Sequence, residues 1–141
     1  MADDRRPIGY WLKHLDRLIE ENFARTLAGE GLTRRHWQVL NTLQTAPSSR
    51  DGIAEALAPF LAGDPGAGGS VVDDLVGRGW VATAPNDELA LTEAGTRARA
   101  ALLERVAGTR RLLVQGISDE EYLATVDVLR RMTENLERAA G

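Results

Sequence analysis

Near the start of the chain, Ile8, Trp11, Leu12, Leu15, Leu18, Ile19, Phe23 and Leu27 recur every three or four positions, with Lys13, Asp16, Arg17, Glu20 and Glu21 between them. Residues at that spacing share one face of a helix, so an amphipathic helix is predicted from Pro7 to Ala28, ended by Gly29 and Gly31. Thr33 then offers a cap to a second helix, in which Trp37, Leu40 and Leu43 face inward before Pro47 stops it. Ser48 or Ser49 caps a third. It carries Ile53 and Leu57 four apart and is short, because Pro59 disfavours helical torsions at Ala58.

A fourth helix is expected from about Gly66, capped by Asp64 with Pro65 preset for a first helical position. Val71, Val72 and Leu75 are its apolar positions, and Gly79 lies just past its last turn, where a left-handed stop costs least. From Trp80 the period changes to two: Trp80 to Thr83 is β-branched and aromatic, Ala84-Pro85-Asn86-Asp87 reads as a turn, and Leu89 and Leu91 alternate with Glu88 and Ala90. Thr92 caps a long helix marked by Ala94, Ala98, Leu102, Val106, Leu112 and Leu113, which runs to about Gln115 before Gly116. Ser118-Asp119-Glu120-Glu121 is a capping box opening the last helix, whose stripe is Tyr122, Val126, Leu129, Met132 and Leu136. Three helices, a docking helix, a hairpin and two long helices make a mainly α chain with a small β-hairpin. This order is that of a winged helix-turn-helix.

At 141 residues the chain suits one domain with one real core. The longest apolar run, Ala56 to Ala62, is broken by Pro59 and far short of a membrane span, which needs about 20 residues. The N-terminal stretch is amphipathic rather than a secretory signal, so a cytoplasmic location is expected. Without cysteine, disulfides, thiolate nucleophiles and cysteine metal ligands are excluded. The first helix and the last two lie outside the winged-helix unit, and each needs cover for an apolar stripe. Pairing with a second copy supplies it, which predicts a homodimer; a monomeric helical bundle is the alternative.

Three motifs carry a family resemblance. Gly31-Leu32-Thr33 followed by Trp37-Gln38-Val39-Leu40, then Val72-Asp73-x-Leu75 with Arg78-Gly79-Trp80-Val81, then Leu91-Thr92-Glu93-Ala94-Gly95 resemble the multiple-antibiotic-resistance regulator (MarR) family of winged-helix transcription factors. The resemblance covers nearly the whole chain. It implies a single domain over 1–141, with 5–30 and 93–141 as N- and C-terminal dimerisation helices and 32–92 as the winged helix-turn-helix. It also implies double-stranded DNA as partner, a recognition helix in the major groove, a wing in the minor groove and a small-molecule effector between the two regions.

Charge complicates that expectation. Between Pro47 and Leu91 there are two bases, Arg50 and Arg78, against seven acids, Asp51, Glu55, Asp64, Asp73, Asp74, Asp87 and Glu88. Gly79 to Thr96 holds no Lys or Arg. Ser70 and Asp74 stand where the family commonly carries arginine, and the wing is shortened to Pro85-Asn86-Asp87. Affinity for DNA comes largely from phosphate neutralisation and counterion release, so few contacts are on offer. The residues expected to meet DNA are Arg34 and Arg35 opening the second helix, Arg50 opening the third, Gly66, Ala67, Gly68 and Gly69, which let the backbone approach closely, then Ser70, Asp74 and Asn86 at the wing tip. A loose first turn is the plainer reading of the glycines.

Tyr10, Trp11, His14, His36 and Trp37, which include an aromatic pair on each of the first two helices, are the expected effector pocket, with ordinary packing of Trp11 and Trp37 as the alternative. His14 and His36 sit on different helices without a matching carboxylate spacing, so no metal site is expected, nor any cofactor. The glycine-rich run Gly63 to Ser70 lacks the lysine of a phosphate-binding loop, and no triad or carboxylate dyad is readable, so no enzyme is expected. Two functions remain: a dimeric DNA-binding transcriptional regulator, or a dimeric ligand- or protein-binding module whose acidic reading surface has weakened or lost DNA binding.

Overall fold

The computed structural model describes residues 5–61 and 67–141 and divides into two compact units, the first ending at Ala107 and the second spanning Gly108–Gly141. In the first, α1 (Ile8–Leu27) runs into a single 3-10 turn (Ala28–Glu30) that Gly31 closes with a left-handed φ of 67°. Next come α2 (Arg34–Thr45), α3 (Arg50–Ala56), α4 (Ala58–Leu61) and α5 (Ala67–Gly77). An antiparallel hairpin, β1 (Val81–Thr83) and β2 (Leu89–Leu91), pairs Val81 with Leu91 and Thr83 with Leu89. α6 (Glu93–Leu113) begins in the first unit and ends in the second, which continues through a left-handed Gly116 into α7 (Asp119–Ala140).

Most helix ends follow their local chemistry. Ser49, rather than Ser48, caps α3 by accepting the Gly52 amide at 3.0 Å. Ser48 instead exchanges both backbone hydrogen bonds with Leu89, adding a one-residue third strand beside β2. Around Pro59 the chain forms a further helical turn, α4, which begins at Ala58, the residue where helical torsions were expected to be disfavoured. Proline is tolerated in a first turn because its missing amide would have no partner there. The predicted cap Asp64-Pro65 and the predicted start at Gly66 lie outside the described residues.

α5 ends in a Schellman motif. The Trp80 amide reaches the Leu75 carbonyl and the Gly79 amide the Val76 carbonyl, with Gly79 at φ 80°. The hairpin turn closes from the Asp87 amide to the Ala84 carbonyl at 2.9 Å, with Asp87 left-handed at φ 67°, and the Asn86 side chain accepts the Glu88 amide. Thr92 caps α6 through the Gly95 amide, and Ser118 and Glu121 make the reciprocal capping box of α7.

The core lies between α2, α3, α5 and the hairpin, where Val39, Leu40, Ile53, Leu75 and Leu89 are essentially inaccessible. α1 contributes little to it. Only Leu27 of α1 is buried, while Ile8, Trp11, Leu12, Leu15 and Leu18 are exposed. α7 buries no residue, and its Val126, Met132 and Leu136 are 47%, 45% and 75% exposed.

Candidate nucleic-acid interface

α5 turns Val71, Val72 and Leu75 into the core and leaves Gly69, Ser70, Asp73, Asp74 and Gly77 outside. The expected DNA-facing residues therefore divide. Ser70 is on the outer face, and Asn86 is at the hairpin tip with its amide nitrogen donating to Glu88. Gly68 points inward, where a Cβ would stand 3.0 Å from Leu61 of α4. A Cβ at Gly69 meets open space. Of the glycine turn, then, only Gly69 shows a bare backbone to solvent among the described residues; Gly66 lies outside them, and for Ala67 only the backbone is described. Gly69→Ala is expected to raise stability by about 1 kcal/mol, read as a higher midpoint of thermal unfolding, because alanine restores helix propensity without a clash. A simultaneous loss of DNA affinity would mark Gly69 as a point of close backbone approach.

The arginines are occupied within the chain. Arg34 reaches Asp16 at 2.9 Å and Glu20 at 3.2 Å, both on α1, and Arg35 reaches Glu20 at 2.6 Å. The two guanidinium groups also lie 5.3 and 5.1 Å from the ring of Phe60, and their side chains are only 12% and 18% exposed. They fasten the start of α2 to α1 and α4. Arg50 is exposed at the start of α3 but pairs with Asp73 of α5 at 2.8 Å. A cleft of about 200 Å³ separates these helices, lined by Arg50, Asp51, Ile53, Ala54, Gly68, Gly69 and Val72.

Asp74 faces sideways, toward α2. A single oxygen, Oδ2, accepts from His36 Nε2 at 2.9 Å and from Arg78 Nε at 2.8 Å. The other guanidinium arm of Arg78 donates to the Glu30 carbonyl at 3.2 Å, which ties the end of α5 to the 3-10 turn. The bonded Arg78 guanidinium is the main reason that the Asp74 carboxyl is held below its ordinary value. His36 is buried, and its Nδ1 accepts the Thr33 amide at 3.0 Å, giving α2 a capping box in which histidine takes the place usual for glutamate. Burial lowers the His36 pKa, opposed by the hydrogen bond that its Nε2 donates to Asp74. Sequence reasoning missed Arg78 in this junction. Its i,i+4 spacing from Asp74 was the available signal.

The five expected effector residues are placed in different surroundings. Tyr10 and Trp11 are exposed on α1, with Tyr10 edge-on to Trp11 at 5.0 Å, and His14 beside them is half-buried, its Nδ1 meeting Arg17 at 2.7 Å. His36 and Trp37 are buried on α2, and Trp37 packs beneath the guanidinium of Arg99 at 5.5 Å. No group of three or more His, Asp or Glu side chains able to hold a metal ion occurs among the described residues.

No family model and no curated protein sequence matches this chain. Solved structures do. A transcriptional regulator of the MarR family from Rhodococcus sp. RHA1 is 26% identical with a TM-score of 0.74, covering 89% of this chain and 92% of its own. CouR from Rhodococcus jostii RHA1, solved with p-coumaroyl-CoA, is 24% identical with a TM-score of 0.76, over 93% of this chain and 95% of its own. Bordetella bronchiseptica BpsR, described by the regulation of its DNA binding by 6-hydroxynicotinic acid, is 21% identical with a TM-score of 0.75, over 94% and 97%. The likeness covers about nine-tenths of the chain or more, helices and hairpin together, and shows that the fold of this chain is the winged-helix fold of those MarR-family structures.

Proposed function

We propose that the chain is a homodimeric, DNA-binding transcriptional regulator acting in the cytoplasm and modulated by a small molecule. The observation that carries this reading is the outer face of α5, packed on the core through Val71, Val72 and Leu75 with Ser70, Asp73 and Gly69 uncovered and the hairpin following directly behind it. BpsR, which has a similar fold, has its DNA binding regulated by 6-hydroxynicotinic acid. The exposed apolar stripes of α1 and α7 support pairing with a second copy, since a chain of this size rarely leaves such stripes uncovered. No helix among the described residues is long and apolar enough to cross a membrane.

Because Arg34, Arg35, Arg50 and Arg78 are all ion-paired internally, DNA binding should depend weakly on salt. An electrophoretic shift assay against the promoter region beside its own gene tests the proposal, and no shift even at low ionic strength would overturn it. Asp73→Asn is the informative variant. It releases Arg50 and removes one negative charge from the reading face, so affinity should rise and the salt dependence steepen by about 0.9 per protomer in log–log terms. Reversing charge at Asp74 is less clean, because that carboxylate holds His36 and Arg78.

The same ion pairing favours the second reading, a module that keeps the scaffold but binds a ligand or a basic protein in place of DNA. Ligand-induced thermal stabilisation without any DNA affinity would favour it.

A further inference from the structure

Resting on the proposed DNA reading, we infer that His36 is the positioning residue of the recognition helix: uncharged, it clamps α5 onto the start of α2 through Asp74, and protonation of its ring releases the clamp and weakens DNA binding.

The tautomer follows from the partners. Nδ1 faces two donors, the Thr33 amide at 3.0 Å and the Thr33 hydroxyl at 2.9 Å, while Nε2 faces a carboxylate that only accepts. The ring proton is therefore on Nε2, and one imidazole serves both elements: it completes the cap of α2 and donates to α5 across 38 residues of chain. Asp74 passes the connection to Arg78, and Arg78 to the Glu30 carbonyl, so four groups close the junction between the 3-10 turn, α2 and α5.

This junction is electrically balanced only while His36 is neutral. The charged groups facing it are Asp74 and Arg78 from α5, one negative and one positive, both engaged on the same carboxylate oxygen. The Glu30 carboxylate is turned to Arg105 of α6, and Glu20 of α1 is taken by Arg34 and Arg35. A second cation in the buried ring would share Asp74 Oδ2 with Arg78, and a proton on Nδ1 would set donor against donor at the Thr33 amide. Burial already disfavours the charged form and holds the His36 pKa below 6.5.

The sign is distinctive. Acidification makes any protein more positive and ordinarily tightens its hold on DNA. Here, loss of the clamp should loosen it. In the folded chain His36 binds its proton only below 6.5, whereas the unfolded chain takes it near 6.5. The stability contributed by the clamp is therefore complete above 6.5 and is lost as pH falls from there through the depressed folded value.

The test uses the full-length chain and a duplex that it selects from a random-sequence pool at neutral pH. Affinity is measured by fluorescence anisotropy at pH ~7.5 and ~5, at fixed ionic strength. Wild type should lose roughly five-fold or more on acidification. His36→Gln, which keeps a donor toward Asp74 but cannot titrate, should bind at neutral pH and lose this step. His14→Gln should keep it. Hydrogen-exchange protection factors across α5 give a readout free of DNA: protection should fall on acidification in wild type and stay level in His36→Gln. Retention of the pH step by His36→Gln, or α5 protection indifferent to pH in wild type, overturns the inference. Should no duplex be selected while α5 protection still follows His36, the DNA reading fails and the clamp stands.

Discussion

Gly95→Ala is expected to destabilise the protein by roughly 2–3 kcal/mol, as a drop of roughly 6–9 °C in the thermal midpoint. A Cβ at this position would drive into the backbone of Trp80, standing 2.8 Å from its carbonyl carbon and 3.1 Å from its Cα, and closer still to the carbonyl oxygen. The obstacle cannot rotate away, because it is main chain and already bonded. That same carbonyl accepts the Thr92 amide at 3.0 Å, and the Thr92 hydroxyl donates to the Gly79 carbonyl at 2.6 Å while accepting the Gly95 amide at 3.0 Å. The end of α5, the start of β1 and the first turn of α6 thus meet at one point, and a methyl group there must part them. Gly108 on the same helix is the control. Its Cβ would meet only the Arg111 guanidinium at 3.8 Å, so Gly108→Ala should stabilise, in the opposite direction. Equal effects at the two glycines would refute the steric account.

The second large effect is expected at Leu75. Its side chain is fully buried, and its carbonyl accepts the Trp80 amide that closes α5. Leu75→Ala removes the central apolar anchor of α5 and leaves a cavity in the core that it shares with α2 and the hairpin. Losses for buried leucine of this kind are about 2–5 kcal/mol, and the close packing around Leu40, Ile53 and Leu89 puts Leu75 in the upper part of that range. Chemical denaturation measures the stability. Ser70→Ala, on the exposed side of the same helix, should leave the denaturation midpoint nearly unchanged. If α5 is the DNA reader, Leu75→Ala should also weaken binding at temperatures where the chain is still folded, because a helix that rocks in its socket cannot present Ser70 and Asp73 in a fixed register.

Both effects arise where a short motif was visible in the sequence but its cause was not. Leu91-Thr92-Glu93-Ala94-Gly95 stood out as a unit, and Thr92 was readable as a cap because a cap bonds three residues ahead. Why the fifth position must be glycine depends on Trp80, which only the packing of the hairpin on α6 brings there. The same division runs through the candidate interface. Arg34, Arg35 and Arg50 looked available to phosphate because their actual partners are not among the residues beside them in the chain. Their carboxylate partners come from 18, 15 and 23 residues away.

By itself the sequence determined the order of elements, most of their ends and the low positive charge of the winged-helix half. Those features rest on periodicity, capping and turn geometry, which act within four or five residues, and on composition, which needs no geometry. Tertiary structure alone decided that Ser48 pairs with Leu89 while Ser49 caps α3, that Pro59 opens a helical turn, and that Asp74 bonds His36 instead of standing free. Each depends on how helices far apart in the chain are set against one another, and a side chain's partner is fixed only when its backbone and that of its neighbour have both been placed.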